Sequence, residues 1–234
     1  MRMRWGILGV AATGAAALIQ ACDTPLPSQS FLSVQVLSPD LCAPDRGGFT
    51  AGSSNPYFPL PDNQRWVLEG TEDGVAVRVE IDVLSRTERV AGVTTRVVRE
   101  QEWADGVLIE VSHNYYAQAV DGTVCYFGED VDIFEGGTVL HDGAWRADGA
   151  GNRPGIIMPA APQVGMRFQM EGAPGVAEDE GTIVGTGPVL VPAGRFTETI
   201  RVRESNPLDR SRGYKVFAAG VGIVVDGPVE LVPN

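Results

Sequence analysis

The chain has 234 residues, 44% of them hydrophobic and 21% charged, which is the profile of a globular protein large enough for one big β domain or two small ones. Thirty acidic residues face 18 basic ones, for a formal net charge of −12, so no basic surface exists to neutralise phosphate and nucleic acid is not expected as a partner. The 29 glycines and 16 prolines interrupt the chain too often for long helices.

Residues 1–22, MRMRWGILGVAATGAAALIQAC, read as a bacterial lipoprotein export signal. Arg2 and Arg4 form the positive end and Trp5 to Leu18 the apolar stretch. That stretch is shorter than the roughly 20 residues a membrane-spanning helix needs. Ile19-Gln20-Ala21 precedes Cys22 as a small-residue cleavage box, so Cys22 is the expected lipid attachment site and the mature chain starts there. A lipid-modified cysteine carries at least two acyl chains, enough for stable attachment. The expected location is the cell envelope, on the periplasmic or outer side of a bacterial membrane. The competing reading is an ordinary secretory signal cut near Ala21. Without residues 1–21 the net charge becomes −14, which would hold the body away from acidic lipid headgroups.

Residues 22–54 are rich in Pro, Ser, Gly and Asp and read as a tether with one strand-like patch at Leu32 to Leu37. From residue 55 to 234 a β domain is expected. Val75 to Val83 alternates apolar and mostly charged positions, the period of a strand with one dry and one wet face. Glu72-Asp73-Gly74 joins it to Arg65–Glu69, and Asp105-Gly106 and Asp121-Gly122 mark further turns among 89–103, 107–119 and 123–128. Later strands are expected at 132–135, 138–146, 165–171, 181–191, 196–204, 214–225 and 229–232. Segment 147–162 is irregular, with room for one short helix. The predicted class is all-β: an antiparallel meander closing as a half-barrel, a barrel or a sandwich, with at most one short helix.

With Cys22 assigned to lipid, Cys42 and Cys125 remain, and in an exported chain an even remainder favours a disulfide. Such a loop would contribute roughly 4.5 kcal/mol by chain entropy. Two separately buried thiols are the alternative. One lysine, Lys215, stands against 17 arginines. This reads either as codon bias or as a surface built for bidentate anion capture.

Candidate chemistry is sparse. There is no G-x-S-x-G elbow and no clustered Cys/His set, which disfavours serine hydrolase and zinc chemistry. His113 falls on the apolar face of its strand with Tyr115, either as a buried histidine bonded to a neighbour or as a ligand-facing pair inside a concave sheet. Glu129, Asp130 and Asp132, followed by Gly136-Gly137, are the best metal candidates, with Ca²⁺ as the cation that hard oxygen ligands would take. A solvated charged turn is the simpler account. The aromatic group Tyr115, Tyr116, Tyr126, Phe127, Phe134 and Trp145 is either core or a binding cage.

The blocks NPYFPL (55–60), RWVLEG (65–70), NYYAQAVDGTVCYFGED (114–130), GAWRADGAGNRPGIIMPAAPQVGMRF (143–168) and VFAAGVGIV (216–224) resemble those of a family of uncharacterised exported bacterial proteins, often lipoproteins. Where similar proteins have tryptophan before YFGE this chain has Cys125, so a Cys42–Cys125 bond would be its own feature. VPAGRF (191–196) followed by AGVGIV is similar to families with the curved sheet of periplasmic lipoprotein carriers. The resemblance implies no established activity. The expected function is non-enzymatic: a lipid-anchored domain binding an apolar small molecule or another envelope protein. A Ca²⁺-dependent or carboxylate-based carbohydrate-active protein is the alternative, which keeps the enzyme question open. A structural envelope lipoprotein is the third reading.

Overall fold

The computed structural model describes residues 34–233; the expected export signal and the expected lipid attachment site at Cys22 lie outside the described residues. The strands are β1 (Gln35–Val36), β2 (Arg65–Glu72), β3 (Val75–Val90), β4 (Val93–Ala104), β5 (Val107–Gln118), β6 (Val124–Glu135), β7 (Thr138–Leu140), β8 (Trp145–Arg146) and β9 (Gly155–Met158). They continue with β10 (Met166–Gln169), β11 (Glu180–Thr186), β12 (Val189–Val191), β13 (Gly194–Phe196), β14 (Thr199–Ser205), β15 (Arg212–Ala218), β16 (Gly222–Asp226) and β17 (Val229–Leu231). Two 3-10 turns, Pro39–Cys42 and Pro44–Arg46, are the only helical elements among the described residues, and the class is all-β.

Period-two patterning decides which face turns inward. In β3, Val77, Val79, Ile81 and Val83 are buried, while Arg78, Glu80 and Asp82 lie outside and pair with Arg65, Glu69 and Arg99. The hairpins from β2 to β5 are joined by two-residue turns at Asp73-Gly74, Ala91-Gly92 and Asp105-Gly106, each with positive φ at both positions. Such turns match the right-handed twist of the strands they connect. The segment 89–103, expected as one long strand or a strand pair, is divided at the Ala91-Gly92 turn, which alanine leaves unmarked in the sequence.

One sheet runs β1-β10-β11-β14-β15-β16-β17-β2-β3-β4-β5-β6-β7, with β8 and β9 also paired to β6. It curls until its ends meet: the Arg153 N–H donates to the Gly172 carbonyl (2.8 Å) just past β10. At Gly155 a Cβ would lie 2.1 Å from the Met170 carbonyl oxygen, so glycine is required where the two backbones touch. The meander therefore closes as a barrel through a seam beside β9 and β10. β9 occupies the segment where a short helix could have stood. The strand expected over 214–225 is a hairpin, β15 and β16, and 181–191 divides into β11 and the start of the separate β12–β13 hairpin.

The expected tether is shorter than 22–54. β1 pairs in parallel with β10, Cys42 is bonded to Cys125, and Thr50 bridges Gln118, so residues 35–54 lie on the domain. Phe49 meets Phe127 edge-on at 5.5 Å, which makes this segment a cover for the sheet, not a spacer. Asn55 then locks the corner: its amide donates to the Gly122 and Pro159 carbonyls, and its oxygen accepts the Tyr57 N–H.

Candidate functional site

The barrel interior is apolar at one level and acidic at another. Leu68, Phe168, Ile183, Ile200 and Val202 are fully buried, and Tyr116 stacks on Tyr126 at 4.8 Å. Beside this core lies a cavity of about 270 Å³. Strand alternation puts its carboxyls there. Glu100 and Glu102 on β4 sit opposite Ile81 and Val79 of the dry face of β3, and opposite Ser112 and Glu110 of β5. Across the cavity, β14 supplies Glu204, β15 supplies Lys215 and β16 supplies Asp226. Glu129 of β6, together with Glu171 and Asp179 between β10 and β11, completes the wall.

The single lysine of the chain thus lies among carboxyls. Its Nζ is 3.4 Å from Asp226 Oδ2 and 3.7 Å from Glu204 Oε2. Burial works against its charge, but Asp226, Glu204 and Glu100 outweigh that and hold the ammonium proton well above the ordinary lysine range. Burial pushes Glu100 up to about 8; Lys215 opposes this, while Asp226, Glu110 and Glu102 add to it. Glu102 is pushed to about 7 by burial and by Glu110, Asp226 and Glu72. Glu204 reaches about 7 by burial, against Lys215 and with Asp226, Asp179 and Glu171. The cup is therefore a place where protons are held near neutral pH and where positive charge is favoured.

Sequence reasoning located only one of these groups. Of Glu129, Asp130 and Asp132, only Glu129 lines the cup, because neighbours on a strand face opposite ways. Asp130 lies outside, where it accepts from Arg146 (2.5 and 2.9 Å) and from the Tyr115 hydroxyl (2.6 Å). These bonds, Arg146 first, hold its carboxyl below the usual range. Asp132 lies 3.1 Å from His141 Nδ1. Among the described residues no group of three or more His, Cys, Asp or Glu side chains is arranged to hold a metal ion, so the expected Ca²⁺ trio is not brought together.

His113 and Tyr115 also fall outside the cup. The register pairs His113 with Arg99 and Asp130, and burial followed by Arg86 and Arg99 pushes its imidazole below the usual range. The Tyr115 ring lies under Arg146, 4.7 Å from its guanidinium carbon. Their strand neighbours Ser112, Asn114 and Tyr116 face the cavity instead. The assumption that the apolar face of β5 turns inward is what misplaced them. The usable signal was Glu100-Gln101-Glu102, the half of β4 with no dry face, beside strands that have one.

A second, shallower groove of about 300 Å³ is lined by Pro59, Pro61, Trp66, Val221 and Leu231, and Trp66 Nε1 donates to the Val221 carbonyl (2.8 Å). It is the more apolar of the two concavities.

No family model, no curated protein and no solved structure matches the chain. The blocks that carry the family resemblance nevertheless have definite places. Asn55 of NPYFPL clamps the 120s turn and the end of PGIIMP. Gly155 of PGIIMP sits at the seam, and Gly128 of YFGED, at φ 125°, has no room for a Cβ, which would lie 2.3 Å from the Trp145 carbonyl oxygen. Most of these positions build the barrel; Asn114, Tyr116, Tyr126, Glu129 and Ile157 reach the cup.

Proposed function

We propose that this chain is a non-enzymatic binding domain of the bacterial cell envelope, carried on lipid at Cys22, whose cup takes a small organic cation. The observation that carries the reading is the cup itself: a half-open, carboxyl-lined cavity built by strands that elsewhere face an apolar core. A wall of this kind stabilises an ammonium or guanidinium group and disfavours the apolar molecule expected for the concave face of the β domain. Its volume lies near the lower end of the roughly 300–1,000 Å³ typical of ligand sites, which suits a small guest. The export signal and the family resemblance support the envelope location.

The test is calorimetric titration of the full-length chain, extracted from membranes in a mild non-ionic detergent, with 1,5-diaminopentane, its uncharged analogue 1,5-pentanediol, and CaCl₂. Saturable binding of the diamine alone is expected, weakening as salt is raised. Binding of neither organic probe, or of both equally, overturns the reading. Binding of Ca²⁺ alone restores the metal-dependent alternative. In the same preparations Cys22→Ser should shift the protein from the membrane to the soluble fraction; retention in the membrane would refute the lipid anchor.

One observation favours a second reading, a carbohydrate-active protein. Glu100, pushed up to about 8, can hold a proton at neutral pH beside other carboxyls, as the acid of a glycoside-cleaving pair must.

A further inference from the structure

We infer that the cup takes up its cationic guest in exchange for protons held among Glu100, Glu102 and Glu204. This rests on the binding reading above and adds to it the regulation of that site. Two observations besides the number of carboxyls point to a positively charged guest. The fold already seats an alkylammonium in the wall, since Lys215 Nζ lies between Asp226 (3.4 Å) and Glu204 (3.7 Å). Glu204 Oε1 is sealed from solvent and accepts no hydrogen bond, so one acceptor in the wall is left unsatisfied.

The groups that set the exchange come from every side of the cavity. Glu72 of β2, Glu102 of β4 itself, Glu110 of β5 and Asp226 of β16 crowd Glu100 and Glu102 with like charge, and Lys215 of β15 opposes them. Glu171 and Asp179 do the same to Glu204 from the segment between β10 and β11. Tyr116 holds its proton well above the usual phenol range, by burial first and then by Glu100, so it stays neutral and can donate. Glu129 adds negative charge from β6, and Asp209 and Arg212 stand at the rim.

Crowded carboxyls lower their mutual repulsion by keeping protons. A guest ammonium removes that need. As its N–H groups donate to the carboxylates, the carboxyl O–H bonds break and the protons pass to solvent, one positive charge replacing another. The guest is thereby held at neutral to alkaline pH and released on acidification.

The experiment repeats the 1,5-diaminopentane titration on the full-length chain at pH 6, 7 and 8, in phosphate and in Tris, whose ionisation enthalpies differ. Affinity should rise by about tenfold per pH unit for each proton displaced, with about one proton released at pH 7. Glu100→Gln and, separately, Glu102→Gln should weaken binding at pH 8, flatten the pH slope and reduce the release. The two variants serve as mutual checks, because each removes a repulsive charge and neither cuts a backbone contact. Equal affinity at all three pH values with buffer-independent enthalpy overturns the exchange and leaves the binding reading standing. No binding at any pH overturns both.

Discussion

Lys215 shows how much a single position can carry. Its ammonium lies inside the cup between Glu204 and Asp226. Lys215→Met would leave two partly buried carboxyls without that countercharge, and stability should fall by about 1–3 kcal/mol, less than for a fully buried pair because the site is partly solvated. Urea unfolding checks this, and the loss should be smaller at pH 6 than at pH 8, since Glu204 can then take up a proton. The sequence did expose this residue as the lone lysine, but a count says nothing about where a side chain points. Cys42 and Cys125 were legible for the opposite reason: removing Cys22 left just two thiols, and they are bonded across 83 residues. Glu129 was found and Asp130 and Asp132 misplaced, because proximity along a strand is not proximity in space.

At the scale of elements, strands were legible wherever one face is dry and turns wherever Asp-Gly marks them. β3 and the turns at 73–74 and 105–106 follow that rule, and β4 breaks it. The Ala91-Gly92 turn was hidden because alanine occupies a position that glycine or asparagine normally takes. Ala91 has φ 48°, a conformation that costs an alanine about 1–2 kcal/mol. Ala91→Asn should recover about 1 kcal/mol of this and raise the melting temperature. An unchanged or lower melting point would contradict the assignment of strain to the Ala91 backbone angle. The seam beside β9 could not be read at all. It depends on Gly155 touching the backbone at Met170, a contact between strands from opposite ends of the sheet, and no local pattern encodes it.

Across the whole molecule, the acidic interior reverses the usual relation between carboxyls and stability. Glu100 at about 8 and Glu102 and Glu204 at about 7 bind protons more tightly in the folded chain than in the unfolded one. For such groups the stabilising contribution is fully present below the unfolded carboxyl value and is lost as pH rises through 7 and 8. The melting temperature should therefore climb as pH is lowered from 9 toward 6. Asp130 runs the other way: its lowered carboxyl gives stability above the ordinary value that is lost on stronger acidification. Scanning calorimetry from pH 9 to 6 tests the first trend and its extension below the ordinary carboxyl value tests the second; a melting point that falls steadily from pH 9 to 6 would contradict the proton-holding cup. Fold class was legible because alternation and turns are local properties. The cup was not, because it is a property of the closed barrel.

The bond between Cys42 and Cys125 also determines how the molecule answers tension. A load drawn on the start of the chain can strip the two residues of β1 from β10, and then it meets a covalent link into β6. The stretch between the two cysteines, a sequence separation of 83 and up to about 300 Å of slack if fully drawn out, stays out of the load path while the link holds. Strands β2 to β5 are thus shielded from being unravelled from the N-terminal side.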